Sequence, residues 1–140
     1  MKNKIRLGIL GGGGDSLIGI VHRIASSMHD NYEIIGGVFN PDFSENLKFA
    51  EEIGLNKKRI YEDYEKMIEE ELKLDENERI QVVSILTPNF LHYPMAKKLL
   101  ENNFNVICEK PMTTTYEEAR DLENIYLSLI HISEPTRRPI

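Results

Sequence analysis

The sequence predicts a doubly wound parallel α/β sheet of about five strands in the order 3-2-1-4-5. Three observations predict it. Short runs rich in Val, Ile and Leu alternate with longer segments of helical spacing. Each short run stops at a cluster of turn residues. The runs are continuously apolar, as strands covered on both faces are, and strict β-α alternation requires parallel pairing. Right-handed crossovers then leave few topologies.

The first strand is read over residues 5–10, halted by Gly11-Gly12-Gly13-Gly14. Leu17, Ile20, Val21, Ile24, Ala25 and Met28 follow at helical spacing, which sets them along one side of a helix. A second strand, residues 33–39, ends at the Asn40-Pro41-Asp42 turn. The next helix has Leu47, Ala50 and Ile53 inward, with Gly54 closing its C-terminal end. Arg59-Ile60-Tyr61 is at most a short third strand. Residues 62–79 carry nine acidic side chains against Lys66, Lys73 and Arg79, around an apolar stripe of Tyr64, Met67, Ile68, Leu72 and Leu74. That pattern reads as an amphipathic helix with a solvated acidic face. Residues 80–86 form a buried strand that stops at Thr87-Pro88-Asn89, and Met95, Ala96, Leu99 and Leu100 mark the helix after it. Residues 104–108 form a fifth strand ending at Glu109-Lys110-Pro111. Thr115-x-x-Glu118 is a capping box for a last helix with Ala119, Leu122, Ile125 and Tyr126 inward.

Composition narrows the function. Seventeen Lys and Arg against 23 Asp and Glu give a net charge of −6, without a basic cluster, which argues against a nucleic-acid surface. No apolar run approaches the roughly 18 residues of a membrane span. Met1-Lys2-Asn3-Lys4 leads straight into the first strand, so no secretory signal is read. The one cysteine, Cys108, fits a buried core residue in a reducing cytoplasm. Four scattered histidines give no Cys/His metal cluster, and His22 and His29 read as solvent-facing helix residues.

In a doubly wound sheet, ligands lie beyond the C-terminal ends of the strands. The glycine run, Phe39-Asn40, Thr87-Pro88-Asn89 and Glu109-Lys110-Pro111 all fall on that edge. A pyrophosphate needs backbone amides at close range and a helix N-terminus aimed at it. Gly11-x-Gly13, directly after a strand, meets the first two positions of the dinucleotide fingerprint. Ser16 stands at the third, and the next glycine is Gly19. Gly11, Gly13, Ser16, Leu17 and Ile18 are the candidate phosphate-side contacts, with the Ser16 hydroxyl able to donate. The second strand ends without the acid that usually binds the ribose and without an arginine beside it. Asn40 can bond a hydroxyl or tolerate a phosphate, and Asp42 fits the turn, so NAD and NADP both stay open.

Thr87-Pro88-Asn89-x-x-His92 followed by Val106-Ile107-Cys108-Glu109-Lys110-Pro111 resembles the N-terminal domain of the Gfo/Idh/MocA family, the glucose–fructose oxidoreductase and inositol dehydrogenase-like enzymes. Tyr61-x-Asp63-Tyr64 and Thr113-x-Thr115-x-x-Glu118-Ala119 share the likeness, which covers roughly residues 4–126. The resemblance implies an NAD(P)-dependent oxidoreductase of a sugar, polyol or related hydroxyl compound, built as a homo-oligomer. It implies Lys110 as the catalytic residue between nicotinamide and substrate, with Glu109 orienting it or touching the nicotinamide side. Pro111 would follow a cis bond. Thr87, Pro88 and Asn89 would contact the cofactor, with His92 bracing that loop. Two rival readings are an NAD-dependent glycosidase or lyase using the cofactor transiently, and a non-catalytic nucleotide sensor.

The expected domain is residues 1–126. Residues 127–137, LSLIHISEPTR, resemble the in-frame translation of sequencing-adaptor DNA, which makes 127–140 an artefactual tail. Ser128, His131 and Glu134 are on that account no nucleophile constellation. The substrate-holding C-terminal domain implied by the resemblance is then absent, leaving half an active site and an uncovered apolar face.

Overall fold

The structure is a computed structural model and describes residues 3–133. Its strands are β1 (Ile5–Gly11), β2 (Tyr32–Val38), β3 (Val82–Leu86) and β4 (Asn105–Cys108). Its helices are α1 (Leu17–Ser27), α2 (Phe43–Glu52), α3 (Tyr64–Leu72), α4 (Asn89–Glu101) and α5 (Tyr116–Ser133). The strands form one parallel sheet in the order β2-β1-β3-β4. No helix among the described residues is long and apolar enough to cross a membrane.

The expected third strand is reduced to a trace. Lys57–Arg59 is a turn of 3₁₀ helix, and only Ile60 bridges Gly37 of β2. The segment still lies beside β2, so the expected order of neighbours holds with its outermost member shortened. The Arg59 backbone comes so near β2 that a Cβ at Gly36 would lie 2.0 Å from the Arg59 carbonyl oxygen. The Arg59 side chain is engaged with α3, as described below.

Alternate strand residues face opposite sides and build two cores. Leu10, Val83 and Ile85 pack with Met67, Ile68, Met95, Leu99, Phe104 and Leu122. Leu7, Ile9, Val82 and Leu86 pack with Phe39, Phe49, Ala50 and Ile60. The α2 helix closes at Gly54 as expected, its amide donating to the Glu51 carbonyl at φ +77°. The capping box is half formed. Thr115 Oγ1 accepts from the Glu118 amide, but the Glu118 carboxylate takes the Thr114 hydroxyl.

Three expectations of burial change. Ile53, at the C-terminal end of α2, and Tyr126, within α5, are exposed. The acidic face of α3 is not wholly solvated, because Glu71 is fully buried. Its carboxylate accepts from Arg59 Nε and Nη2 (both 2.8 Å), from the Ile80 amide (2.8 Å) and from the Tyr61 hydroxyl. One side chain thereby joins α3, the 59–61 segment and the lead into β3. Burial and the neighbouring Glu71 push the Tyr61 phenol well above its ordinary range.

The third change concerns α1. Its apolar stripe faces outward, with Leu17 77%, Ile24 58% and Met28 58% exposed. Ile18, Gly19, His22 and Arg23 form the covered side. Arg23 donates to the Gly12 carbonyl (2.7 Å) and lies 4.9 Å over the Phe49 ring. Ile107 of β4, paired with Ser84, is also exposed.

α5 runs through Tyr126 to Ser133, and the Ser128 hydroxyl donates to the Ile125 carbonyl. The rest of the segment read as adaptor-like, including Glu134, lies outside the described residues.

Two outcomes follow from this packing. Glu71→Ala is expected to lower stability by about 3–5 kcal/mol, since it strands a half-buried arginine, and the urea midpoint measures it. The double variant Leu17→Ser/Ile24→Ser is expected to reduce self-association in sedimentation velocity, because it breaks an uncovered apolar patch.

Candidate functional site

The site begins where β1 ends. Gly11 (φ +83°) passes the β3 end so closely that a Cβ would lie 2.9 Å from the Leu86 carbonyl and the Thr87 nitrogen. Only glycine combines that approach with a positive φ at little cost. Gly12 meets α1 at Gly19, where a Cβ would fall 1.8 Å from the Gly12 oxygen. The close helix–strand contact of the fingerprint therefore sits at Gly19, three residues beyond Ser16. Ser16 has a different task. It caps α1, its Oγ accepting from the Gly19 amide (3.1 Å). Because the oxygen accepts, the hydroxyl proton stays available. The Leu17 and Ile18 amides have no acceptor among the described residues. These donors, at the positive end of an 11-residue helix, suit an anionic diphosphate.

A cleft of about 620 Å³ opens in front of this loop. Of the expected contacts, Gly11, Gly13, Ser16, Asn40, Thr87 and Pro88 line it. Leu17, Ile18, Asn89, His92, Glu109 and Lys110 do not. Asn40 Oδ1 already accepts from the Asp42 amide (2.9 Å), which leaves the Asn40 amide group to face a ligand. Asp42 serves the turn as expected, capping α2 by accepting from the Ser44 and Glu45 amides. The Ser44 hydroxyl and those amides hold its carboxyl below the usual range. Glu62, Asp63 and Tyr64 also line the cleft, brought there by the Ile60 bridge to β2. The lining contains no lysine or arginine. A groove of about 780 Å³ under α5 is lined by Leu100, Val106, Leu122 and Tyr126 among others, and holds none of the expected site residues.

The Glu109–Pro111 turn adjoins the cleft without lining it. The Glu109 amide donates to the Ile85 carbonyl (3.1 Å), and the Lys110–Pro111 bond is cis. His92 sits between this turn and the cleft at 1% exposure. Its Nδ1 lies 2.6 Å from the Pro111 carbonyl oxygen and its Nε2 2.8 Å from that of Thr87. Carbonyls only accept, so a neutral ring makes one of these bonds and a doubly protonated ring makes both. The resemblance implies His92 as a brace for the loop beside the cofactor. Its burial and these two partners make it a brace between backbone turns.

His22 departs further from expectation. It faces inward, its Nε2 2.9 Å from Glu109 Oε2. His29 is exposed as expected. Lys110 is exposed. Cys108 is half-buried, and burial pushes its thiol up, which makes it a poor nucleophile. No group of three or more metal-ligating side chains occurs among the described residues.

Comparison with known proteins gives a consistent picture. A family model described as an oxidoreductase family with an NAD-binding Rossmann fold matches residues 5–127. An uncharacterized oxidoreductase of Bacillus subtilis, YfiI, is 36% identical over 125 residues, which is 88% of this chain and 31% of that protein. The crystal structure of an oxidoreductase from Pseudomonas syringae superposes with a TM-score of 0.85 at 36% identity, covering 91% of this chain and 35% of that one. An inositol dehydrogenase homolog from Azotobacter vinelandii, complexed with NADH and myo-inositol, gives 0.84 at 35% identity, covering 90% and 33%. The chain thus spans about a third of the length of these relatives.

The loop makes a direct prediction. Gly19→Ala is expected to cost on the order of 1–3 kcal/mol by overpacking α1 against Gly12. Gly14→Ala, whose Cβ would meet nothing within 4 Å, is expected to cost only the left-handed strain of about 1 kcal/mol. Urea unfolding of the two variants checks the order.

Proposed function

The chain belongs to the Gfo/Idh/MocA oxidoreductase family, of which it carries the NAD-binding Rossmann domain, and on that premise we propose that its cleft holds a nicotinamide dinucleotide for hydride exchange with a hydroxyl of a sugar, polyol or related compound. The observation that carries this reading is a junction. Thr87 lines the cleft, its carbonyl oxygen lies 2.8 Å from His92 Nε2, and Nδ1 of the same ring lies 2.6 Å from the carbonyl oxygen of Pro111, the neighbour of Lys110. The reacting turn and the cofactor cleft are therefore joined by one buried side chain.

Roles follow from placement. The Leu17 and Ile18 amides and the Ser16 hydroxyl bind the diphosphate, with Gly11 and Gly13 keeping the approach open. Asn40 offers its amide group to the adenosine ribose. Glu62 and Asp63, with no cation in the lining, favour NAD over a form bearing an extra phosphate. Thr87, Pro88 and Asn89 hold the nicotinamide side. The bound nicotinamide supplies the hydride chemistry. Lys110 is the catalytic residue: its ammonium holds the reacting hydroxyl and stabilises the negative charge that grows on oxygen as the proton passes to a base supplied by the substrate-holding domain. The polyol class rests on the relative solved with myo-inositol. The outward stripe of α1 is the natural seat for a substrate-holding domain, such as the further length of the relatives would supply.

Two measurements test this. NADH titrated into the ¹⁵N-labelled chain is expected to bind weakly and shift the Gly13, Ser16, Leu17, Asn40 and Thr87 amides, and no shift at millimolar NADH overturns the reading. In a chimera carrying the remaining two thirds of the Azotobacter homolog, Lys110→Ala is expected to cut turnover of myo-inositol by about 10²–10⁴-fold while NADH binding is kept. Unchanged turnover removes Lys110 from the chemistry.

A further inference from the structure

α1 carries a second functional feature besides its N-terminus. His22 lies six residues beyond Ser16, about 9 Å along the helix axis. Its side chain is 22% exposed and that of Glu109 is 27% exposed, so water only partly competes for the contact. The Glu109 carboxyl is held below the usual range, first by the hydrogen bond from His22 and then by the Lys110 amide and charge. A carboxylate only accepts, so His22 Nε2 carries a proton and donates to it at 2.9 Å.

The consequence for the turn is geometric. Glu109 is fixed to α1 by His22, and its amide is fixed to β3. The Pro111 carbonyl oxygen lies 2.6 Å from Nδ1 of the buried His92 of α4. Lys110 stands between two residues that are each pinned by an imidazole, one from each face of the sheet. Without His22, the Glu109 side chain has no other side-chain partner among the described residues. Its carboxylate is then free to turn toward the adjacent Lys110 ammonium.

We propose that His22 is a positioning residue for Lys110: by holding the Glu109 carboxylate, it locks the Lys110 turn to the helix whose N-terminus receives the cofactor diphosphate. The role of the turn rests on the function proposed above, while the locking itself does not.

The test uses the 140-residue chain and two readouts. ¹⁵N relaxation reports the order of the Lys110 amide, and NADH titration reports affinity. His22→Leu is expected to loosen the Lys110 amide while the β1 and β3 amides stay rigid, to raise the Glu109 carboxyl titration toward the ordinary glutamate range, and to weaken NADH binding about fivefold. His22→Gln, which returns a donor to that position, is expected to recover most of the order at Lys110. Glu109→Leu removes the acceptor and so breaks the contact from its other partner, and the His22→Leu/Glu109→Leu double variant is expected to be no looser than His22→Leu alone. A Lys110 amide equally ordered in wild type and His22→Leu overturns the proposal, as does loosening in the double variant that equals the sum of the singles. If the wild-type chain binds no NADH but the Lys110 amide loosens as expected, the locking stands and the cofactor reading falls.

Discussion

The backbone of α1 touches the backbone at the end of β1, and it does so because residue 19 has no side chain. A Cβ there would sit 1.8 Å from the Gly12 oxygen. This contact sets the rotation and height of α1 against the sheet, and much else follows. It leaves the first amides of the helix facing the loop, turns Ile18, His22 and Arg23 toward the sheet, and sends Leu17, Ile24 and Met28 outward. The strongest apolar pattern in the helix therefore faces away from the sheet.

This contact also separates what was legible in the sequence from what was not. Strands and turns were legible because a buried parallel strand must be an unbroken apolar run, and because chains leave such a strand through Gly, Pro and Asn. The cofactor edge was legible because topology alone places the strand ends together. The facing of α1 was not, since periodicity names a stripe without naming what it packs on. Counting to the fingerprint's third position led to Ser16, whereas the close contact fell on Gly19. The longer interval between glycines was the available signal. The third strand is reduced to the Ile60 bridge, and the Arg59 side chain beside it pairs with Glu71, a pairing that an acidic run on a helix does not announce.

The inward facing of His22 was illegible for a related reason. His22 and Glu109 are 87 residues apart, and neither stands in a spacing that suggests the other. His92 was visible as part of the motif after β3, but its residue type suited a ligand contact as well as a brace. Only burial decides, and at 1% exposure its ring is taken up with Thr87 and Pro111. His22 and His92 thus both lie against the Glu109–Pro111 turn, while Lys110 between those contacts is exposed.

The buried carboxylate of Glu71 has a bearing on how such sequences drift. Arg59, Tyr61 and the Ile80 amide all converge on it. A change at Glu71 alone strands a half-buried cation, and a change at Arg59 alone strands a fully buried anion. Lineages descending from this chain must therefore keep the cluster intact or replace several of its members together. The cluster should accordingly behave as a heritable unit, while the solvated glutamates around it turn over freely.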